Sequence, residues 1–257
     1  MVATSEALNR IRIILCQTSH PGNIGATARA MKTMGISTLY LVSPKKFPHP
    51  EATAMSSGAD DVLKNAHVVN DLEEALKGVK LAVGLSARRR ELTQPYLDVR
   101  DVAHEMMHVA ETSDVAFVFG TEMSGLSNLE THQCQVLSFI DANPDYSSLN
   151  LAQAVQVVCH ELRQASISKN PPKLYTKDLD VLADHESLMG FLSHLEVVLD
   201  EIEFLDKVQG ERLMQRLHIL FARSQLEIDE VNILRGILTQ VQKKLRAESR
   251  FSIHPAI

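Results

Sequence analysis

The sequence of 257 residues has few cysteines, no long apolar run and no excess of basic charge. Each absence excludes something. Cys16, Cys134 and Cys159 stand far apart, which makes neither a disulfide framework nor a zinc site and fits a reducing cytoplasm. No apolar stretch approaches the roughly 18 residues that a membrane span needs. The opening Met-Val-Ala-Thr-Ser-Glu lacks the basic and apolar regions of a signal peptide, so the expected location is cytoplasmic. The net charge is −6, where a nucleic-acid-binding domain is usually basic. The charge is unevenly spread, however. Arg29, Lys32, Lys45, Lys46 and Arg88-Arg89-Arg90 make several loops of the first half basic, whereas Glu196, Asp200, Glu201, Glu203 and Asp206 are acidic. A surface with one basic side is compatible with this pattern.

Short apolar runs alternate with helical periodicity over the first 165 residues. Ile11 to Cys16, Leu39 to Val42, Leu81 to Leu85, Val115 to Phe119 and Val136 to Ile140 read as buried strands. Asn23 to Met34, Leu72 to Leu76, Val99 to Ala110 and Leu151 to Ala165 read as helices. Asn23 is the expected cap of the first, with Gly35 after its end, and Asn150 with Gln153 suggests a capping box for the last. Residues 45 to 60, with Pro48 and Pro50, read as a loop. This alternation predicts an α/β domain over residues 1–165 with a parallel sheet covered on both faces. Residues 166–184, containing Pro171-Pro172, read as a linker. Residues 185–257 read as a small all-α domain, its third helix opened by a capping box at Ser224-Gln-Leu-Glu227.

Two familiar motifs fail. No Gly-x-Gly-x-x-Gly follows the first strand, and the Gly120 to Gly125 spacing continues as Leu126-Ser127 where a P-loop needs Lys and Ser or Thr. His104-Glu-Met-Met-His108 matches a zinc-hydrolase helix, but a third ligand is lacking. The expectation there is a solvated surface helix and no metal.

Three polar loops remain: His20-Pro-Gly-Asn-Ile-Gly-Ala-Thr-Ala-Arg29, Phe119-Gly-Thr-Glu-Met-Ser-Gly-Leu126 and Tyr146-Ser-Ser-Leu-Asn-Leu-Ala-Gln153. Taken singly, Asn23 is a helix cap, Arg29 a surface residue, Glu122 a solvated carboxylate and Ser147-Ser148 a turn. Taken together, they lie after strands or at helix starts on one edge of one sheet, where α/β proteins bind ligands.

These loops resemble the three motifs of the SPOUT-class RNA 2′-O-methyltransferases, and within that class the tRNA cytidine/uridine-2′-O-methyltransferases. Asn23 and Arg29 match the first motif, Phe119 to Leu126 the second, and Ser148-Leu-Asn-Leu-Ala-Gln-Ala154 the third. Glu230-Val-Asn-Ile-Leu-Arg-Gly-Ile-Leu238 is similar to the C-terminal helix of that branch. The resemblance implies a SPOUT fold with a C-terminal deep trefoil knot, a homodimer, S-adenosyl-L-methionine as methyl donor and tRNA as substrate. It implies methylation at the first position of the anticodon loop. Another tRNA or rRNA position, or a non-catalytic RNA-binding module, are the alternatives. By the same resemblance Leu85, Ser86, Ala87, Gly120, Glu122, Ile140, Ser147, Ser148, Leu149 and Asn150 would surround the cofactor. Arg29, Asn23 and Ser148 would serve the chemistry, Arg29 from the partner subunit. Arg88, Arg90 and Lys32 would meet RNA.

Overall fold

A computed structural model describes residues 2–87, 95–168, 182–205 and 210–252. The first half runs α1 (Val2–Asn9), β1 (Ile11–Cys16), α2 (Pro21–Met34), β2 (Thr38–Val42), α3 (Pro50–Ser56), α4 (Asp60–Lys64), β3 (His67–Val69) and α5 (Leu72–Leu76). It continues with β4 (Val79–Leu85), β5 (Tyr96–Asp98), α6 (Val99–Val109), β6 (Asp114–Phe119), α7 (Asn128–His132), β7 (Val136–Phe139) and α8 (Leu151–Ile167). Three helices follow: α9 (His185–Glu201), α10 (Gly210–Arg223) and α11 (Ile228–Ser252).

The seven strands form one sheet in the order β3-β2-β1-β6-β4-β7-β5, with every pairing parallel. Alternation along each strand sends side chains to opposite faces. Ile11, Ile13 and Leu15 of β1 join Val115, Phe117 and Phe119 of β6 in the cluster under α2, α6 and α8. Ile14 and Cys16 join Ala116 and Val118 on the other face, with Leu72 and Leu76 of α5. Both faces are therefore apolar, as a doubly covered parallel sheet requires. Full burial of a Phe or Ile side chain contributes about 1.5–3 kcal/mol, so the central strands anchor the sheet. One polar side chain is also fixed at the lower edge. Arg12 bonds Asp114 at 2.6 Å and donates to the carbonyls of Ala75 and Lys77.

Several elements depart from the sequence expectation. Helix α2 begins at Pro21, with His20 as N-cap, so Asn23 is not its cap. Proline suits the first helical position because the N–H it lacks would have no helical partner there. The supposed loop 45–60 contains α3, where Pro50 again opens a helix and the His49 ring accepts from Glu51 N. Helix α6 is solvated on one side only, at Arg100 and Asp101: it packs against α8 and the strands, and Glu105 is only 2% exposed. At the start of α11 it is Glu230 that reaches back to Glu227 N, while Ser224 donates to Phe221 O. α1, α4, β3, β5 and α7 are absent from the sequence reading. Strand β7 lies between β4 and β5, which are consecutive strands in the chain.

Helices α9, α10 and α11 share a separate core of Leu188, Phe191, Leu192, Val198, Val231 and Leu238, with an edge-on Phe191–Phe221 pair at 4.8 Å. Leu182 O accepts from Lys80 Nζ at 2.7 Å and links this unit to the base of β4. No helix among the described residues is long and apolar enough to cross a membrane.

His185, at the start of α9, is buried, and neither ring nitrogen bonds a described residue. Burial, together with His218 nearby, outweighs the attraction of Asp184 and lowers its pKa from 6.5 to about 4. A histidine held neutral in the fold takes up its proton first in the unfolded chain. Stability should therefore be full above pH 6.5 and fall as pH drops towards 4, by on the order of 3 kcal/mol at most. Thermal melting across that window should show the loss, and His185→Leu should flatten it.

Candidate active site

The carboxyl ends of β1, β6, β4 and β7 lie side by side. The segments that leave β4, β6 and β7 frame a cleft of about 530 Å³, within the roughly 300–1,000 Å³ usual for small-ligand sites. Leu85, Ser86 and Ala87 line it after β4, Gly120 to Gly125 after β6, and Ile140 and Pro144 to Leu149 after β7. The walls combine aliphatic side chains with small polar residues.

Each segment is set by local bonds. After β6, Thr121 and Gly125 exchange backbone hydrogen bonds of 3.1 and 2.9 Å, and Gly125 has φ +69°. A Cβ on Gly120 would lie 2.0 Å from Gly125 C. Gly120 is thus required by the turn folding back on itself, not only by a ligand. After β7, Asn143-Pro144-Asp145-Tyr146 forms a turn. Tyr146 N donates to Asn143 O at 2.9 Å, and Asp145 N to Asn143 Oδ1 at 3.0 Å. Ser86 is tied to β7 through its N–H, which donates to Ser138 O at 2.9 Å.

One carboxylate joins these segments. Glu122 accepts from Ser19 N at 3.1 Å, Ser19 Oγ at 3.0 Å, His20 N at 3.1 Å and Asn23 Nδ2 at 3.1 Å. Asn23 Oδ1 then accepts from Asn150 Nδ2 at 3.0 Å, and Asn150 Oδ1 caps α8 by accepting from Ala152 N at 2.9 Å. The polar residues of all three loops therefore form one chain, Glu122–Asn23–Asn150. Partial burial of Glu122 works against its charge, but the bonds from Asn23, Ser19 and His20 prevail and hold its pKa down to about 2. Glu122 also places a negative charge at the start of α2, where the helix dipole favours it. Ser19 and His20 were not singled out from sequence. The Ser-His-Pro run marked the true helix start and could have identified them.

Leu85, Ser86, Ala87, Gly120, Glu122, Ile140, Ser147, Ser148 and Leu149 all line the cleft. Asn150 and Asn23 stand behind it, in the relay. Arg29 is exposed, lies outside this cleft and bonds no described residue. Six residues along α2 place it about 9 Å up the axis and about 120° around from Asn23. Lys32 is engaged by Asp61 at 2.7 Å and by Gly58 O at 3.0 Å, so its charge is already partnered. Arg88, Arg89 and Arg90 lie outside the described residues. Among the described residues no cluster of three His, Cys, Asp or Glu could hold a metal ion. His108 faces Glu111 at 3.8 Å.

Comparison with known proteins defines the class. Residues 10–160 match the model of the SpoU rRNA Methylase family, and the chain belongs to that family. Residues 186–250 match the C-terminal domain of the tRNA methyltransferase TrmJ. Over nearly the whole length the similarity is to TrmJ enzymes. The tRNA (cytidine/uridine/adenosine-2′-O-)-methyltransferase TrmJ of Pseudomonas aeruginosa (strain UCBPP-PA14) is 46% identical over 94% of this chain and 97% of its own. The tRNA (cytidine/uridine-2′-O-)-methyltransferase TrmJ of Photorhabdus laumondii is 44% identical over 92% and 98%. The crystal structure of TrmJ from Z. mobilis ZM4 superposes with a TM-score of 0.80 at 30% identity, over 90% and 98%.

Glu122→Gln leaves one neutral acceptor where four donors converge. Losing charge-assisted bonds of this kind costs about 1–3 kcal/mol. Amide exchange at the first turn of α2 should accelerate in the variant. Because the pKa is lowered, the carboxylate's contribution is present above about pH 4.5 and lost as pH falls towards 2. The Gln variant should lack that acid-sensitive component, and an unchanged acid profile would refute the assignment.

Proposed function

We propose that this chain transfers the methyl group of S-adenosyl-L-methionine to a ribose 2′-hydroxyl of tRNA, at cytidine or uridine in the first position of the anticodon loop. The Glu122–Asn23–Asn150 relay carries the reading, because it draws three sequence-distant loops into one cleft at the end of a parallel sheet. The names of the TrmJ relatives supply the substrate class. A cytoplasmic homodimer fits this role.

The cleft suits the donor by size and lining. Leu85, Ile140 and Leu149 offer aliphatic walls to a purine, and the segments at Ser86, Gly120 and Ser147 bring backbone polar groups to its rim. The donor, when bound, supplies an electrophilic methyl carbon. The protein's task is to orient the hydroxyl in line with that carbon and to favour loss of its proton. Ser148, exposed at the cleft, would hydrogen-bond the hydroxyl. Arg29 would stabilise the developing alkoxide. Its guanidinium stays protonated and cannot serve as a base. Since Arg29 faces away from its own cleft, it would enter the cleft of a second copy. Asn23 fixes the first turn of the helix that carries Arg29. Arg88 and Arg90 would contact the RNA backbone, while Lys32 would do so only by leaving Asp61.

The position of β7 between β4 and β5 supports the expected knot. A later strand inserted between two strands that are consecutive in the chain is the arrangement that threading on the way to α8 would produce.

Arg29→Ala should lower methyl transfer at least 100-fold while leaving the cofactor Kd within about twofold. Mixing Arg29→Ala and Ser148→Ala chains should restore activity, because each mixed dimer regains one intact site. Failure to recover would place Arg29 in its own subunit's site. Methylation of total tRNA from a strain lacking this activity, followed by nucleotide mapping, should label the first anticodon-loop position; label elsewhere would overturn that position.

A further inference from the structure

Two large apolar side chains stand in water at the mouth of the cleft. Tyr146 is 81% exposed and Met123 is 95% exposed, and both belong to the cleft lining. Neither is a loose surface residue. Tyr146 ends the Asn143-Pro144-Asp145 turn, whose two hydrogen bonds fix the backbone that carries the ring. Met123 follows Glu122, the most heavily bonded carboxylate of the site, within a turn closed by Thr121 and Gly125. The Tyr146 hydroxyl and ring make no hydrogen bond or ring contact with the described residues. Burying such a ring would have stabilised the fold. Two ordered turns instead hold this apolar surface out, beside a rim that is otherwise polar at Ser124, Asp145, Ser147 and Ser148.

We propose that Tyr146 is the stacking platform for the base of the nucleotide whose ribose is methylated, with Met123 as the second apolar surface at the rim. This rests on the RNA-methylation reading above. A ribose seated with its 2′-hydroxyl in the cleft carries its base to the rim, a short distance from the reacting atom. Bases in single-stranded RNA loops are unstacked from their neighbours and are held by stacking on aromatic rings. Stacking uses the face that every base has, so it tolerates several bases. That suits an acceptor site for both cytidine and uridine better than edge recognition would. Glu122 cannot read a base edge without giving up donors of α2, since it already accepts four hydrogen bonds. The other use of the ring would be to cover the cofactor, and the two uses separate experimentally.

The test uses the full-length dimer, S-adenosyl-L-methionine and a tRNA transcript with 2-aminopurine or an abasic residue at the target nucleotide. Tyr146→Ala should lower kcat/KM for tRNA about 10- to 100-fold, mainly through KM, as loss of one base–aromatic stack does. The cofactor Kd should change less than twofold, and Tyr146→Phe should restore nearly full activity because the ring and not the hydroxyl acts. 2-Aminopurine fluorescence should be quenched on binding the wild-type protein and not on binding Tyr146→Ala. With the abasic tRNA, wild type and Tyr146→Ala should differ little. Wild-type methylation together with an unchanged KM in Tyr146→Ala would overturn the stacking role alone. A cofactor Kd weakened as much as the tRNA KM would make Tyr146 a cover for the donor. Absence of any tRNA methylation by wild type would remove the functional reading, and this inference with it.

Discussion

Glu122 is where the site is held together. Four donors from the start of α2 converge on its carboxylate, and the fourth, Asn23, passes the connection on to Asn150 at the start of α8. The opposing effects are unequal. Partial burial disfavours the charge, yet the carboxylate is held ionised down to about pH 2, as expected where charge-assisted hydrogen bonds contribute about 1.5–3 kcal/mol each. The cleft walls after β6 and β7 and the helix bearing Arg29 thus share one set of bonds. The glycines serve the same geometry. Gly120 lets its turn close on Gly125, and Gly25 lets α2 lie against α3, where a Cβ would sit 2.1 Å from Ala52 O.

What was legible in the sequence was local. Ile11 to Cys16 and Val115 to Phe119 announce buried strands through short runs of β-branched and aromatic residues, and the structure places them as neighbours in register. What was not legible depended on distant chain. Asn23 reads as a helix cap because Asn usually is one. Pro21 takes over the helix start, and the amide is used instead by Glu122, 99 residues away. Residues 45 to 60 read as loop because proline was weighed as a breaker, though at a first helical position it opens α3. The placement of β7 between β4 and β5 has no local signature at all. Of the site, the lining after β6 and β7 could be anticipated from the second and third motifs, Leu85 to Ala87 and Ile140 from the resemblance, and the exposure of Arg29 from its small neighbours, whereas the pairing of Lys32 with Asp61 could not.

Arg29 gives this architecture its consequence. Among the described residues the cleft has no Lys or Arg in its lining, and the neighbouring helix presents Arg29 to solvent; in the proposed reading a second copy would complete the site. The division suits an enzyme acting on a polymer. In that reading the donor would be held by backbone and aliphatic walls within one chain, and the acceptor received at the exposed mouth. In that reading the relay would be more than support, because it ties the first turn of α2, the helix that carries Arg29, to the cleft loops.

The most direct measurement is a double-mutant cycle between Asn23 and Asn150, using Asn23→Ala, Asn150→Ala and the double variant, with cofactor Kd and kcat for tRNA methylation read separately. If the relay acts as a unit, the double variant should be little worse than either single one. The single losses should fall chiefly on kcat, through misplacement of Arg29, with a smaller effect on Kd. Additive losses of kcat from the two substitutions would contradict the account, since the two amides would then be acting independently.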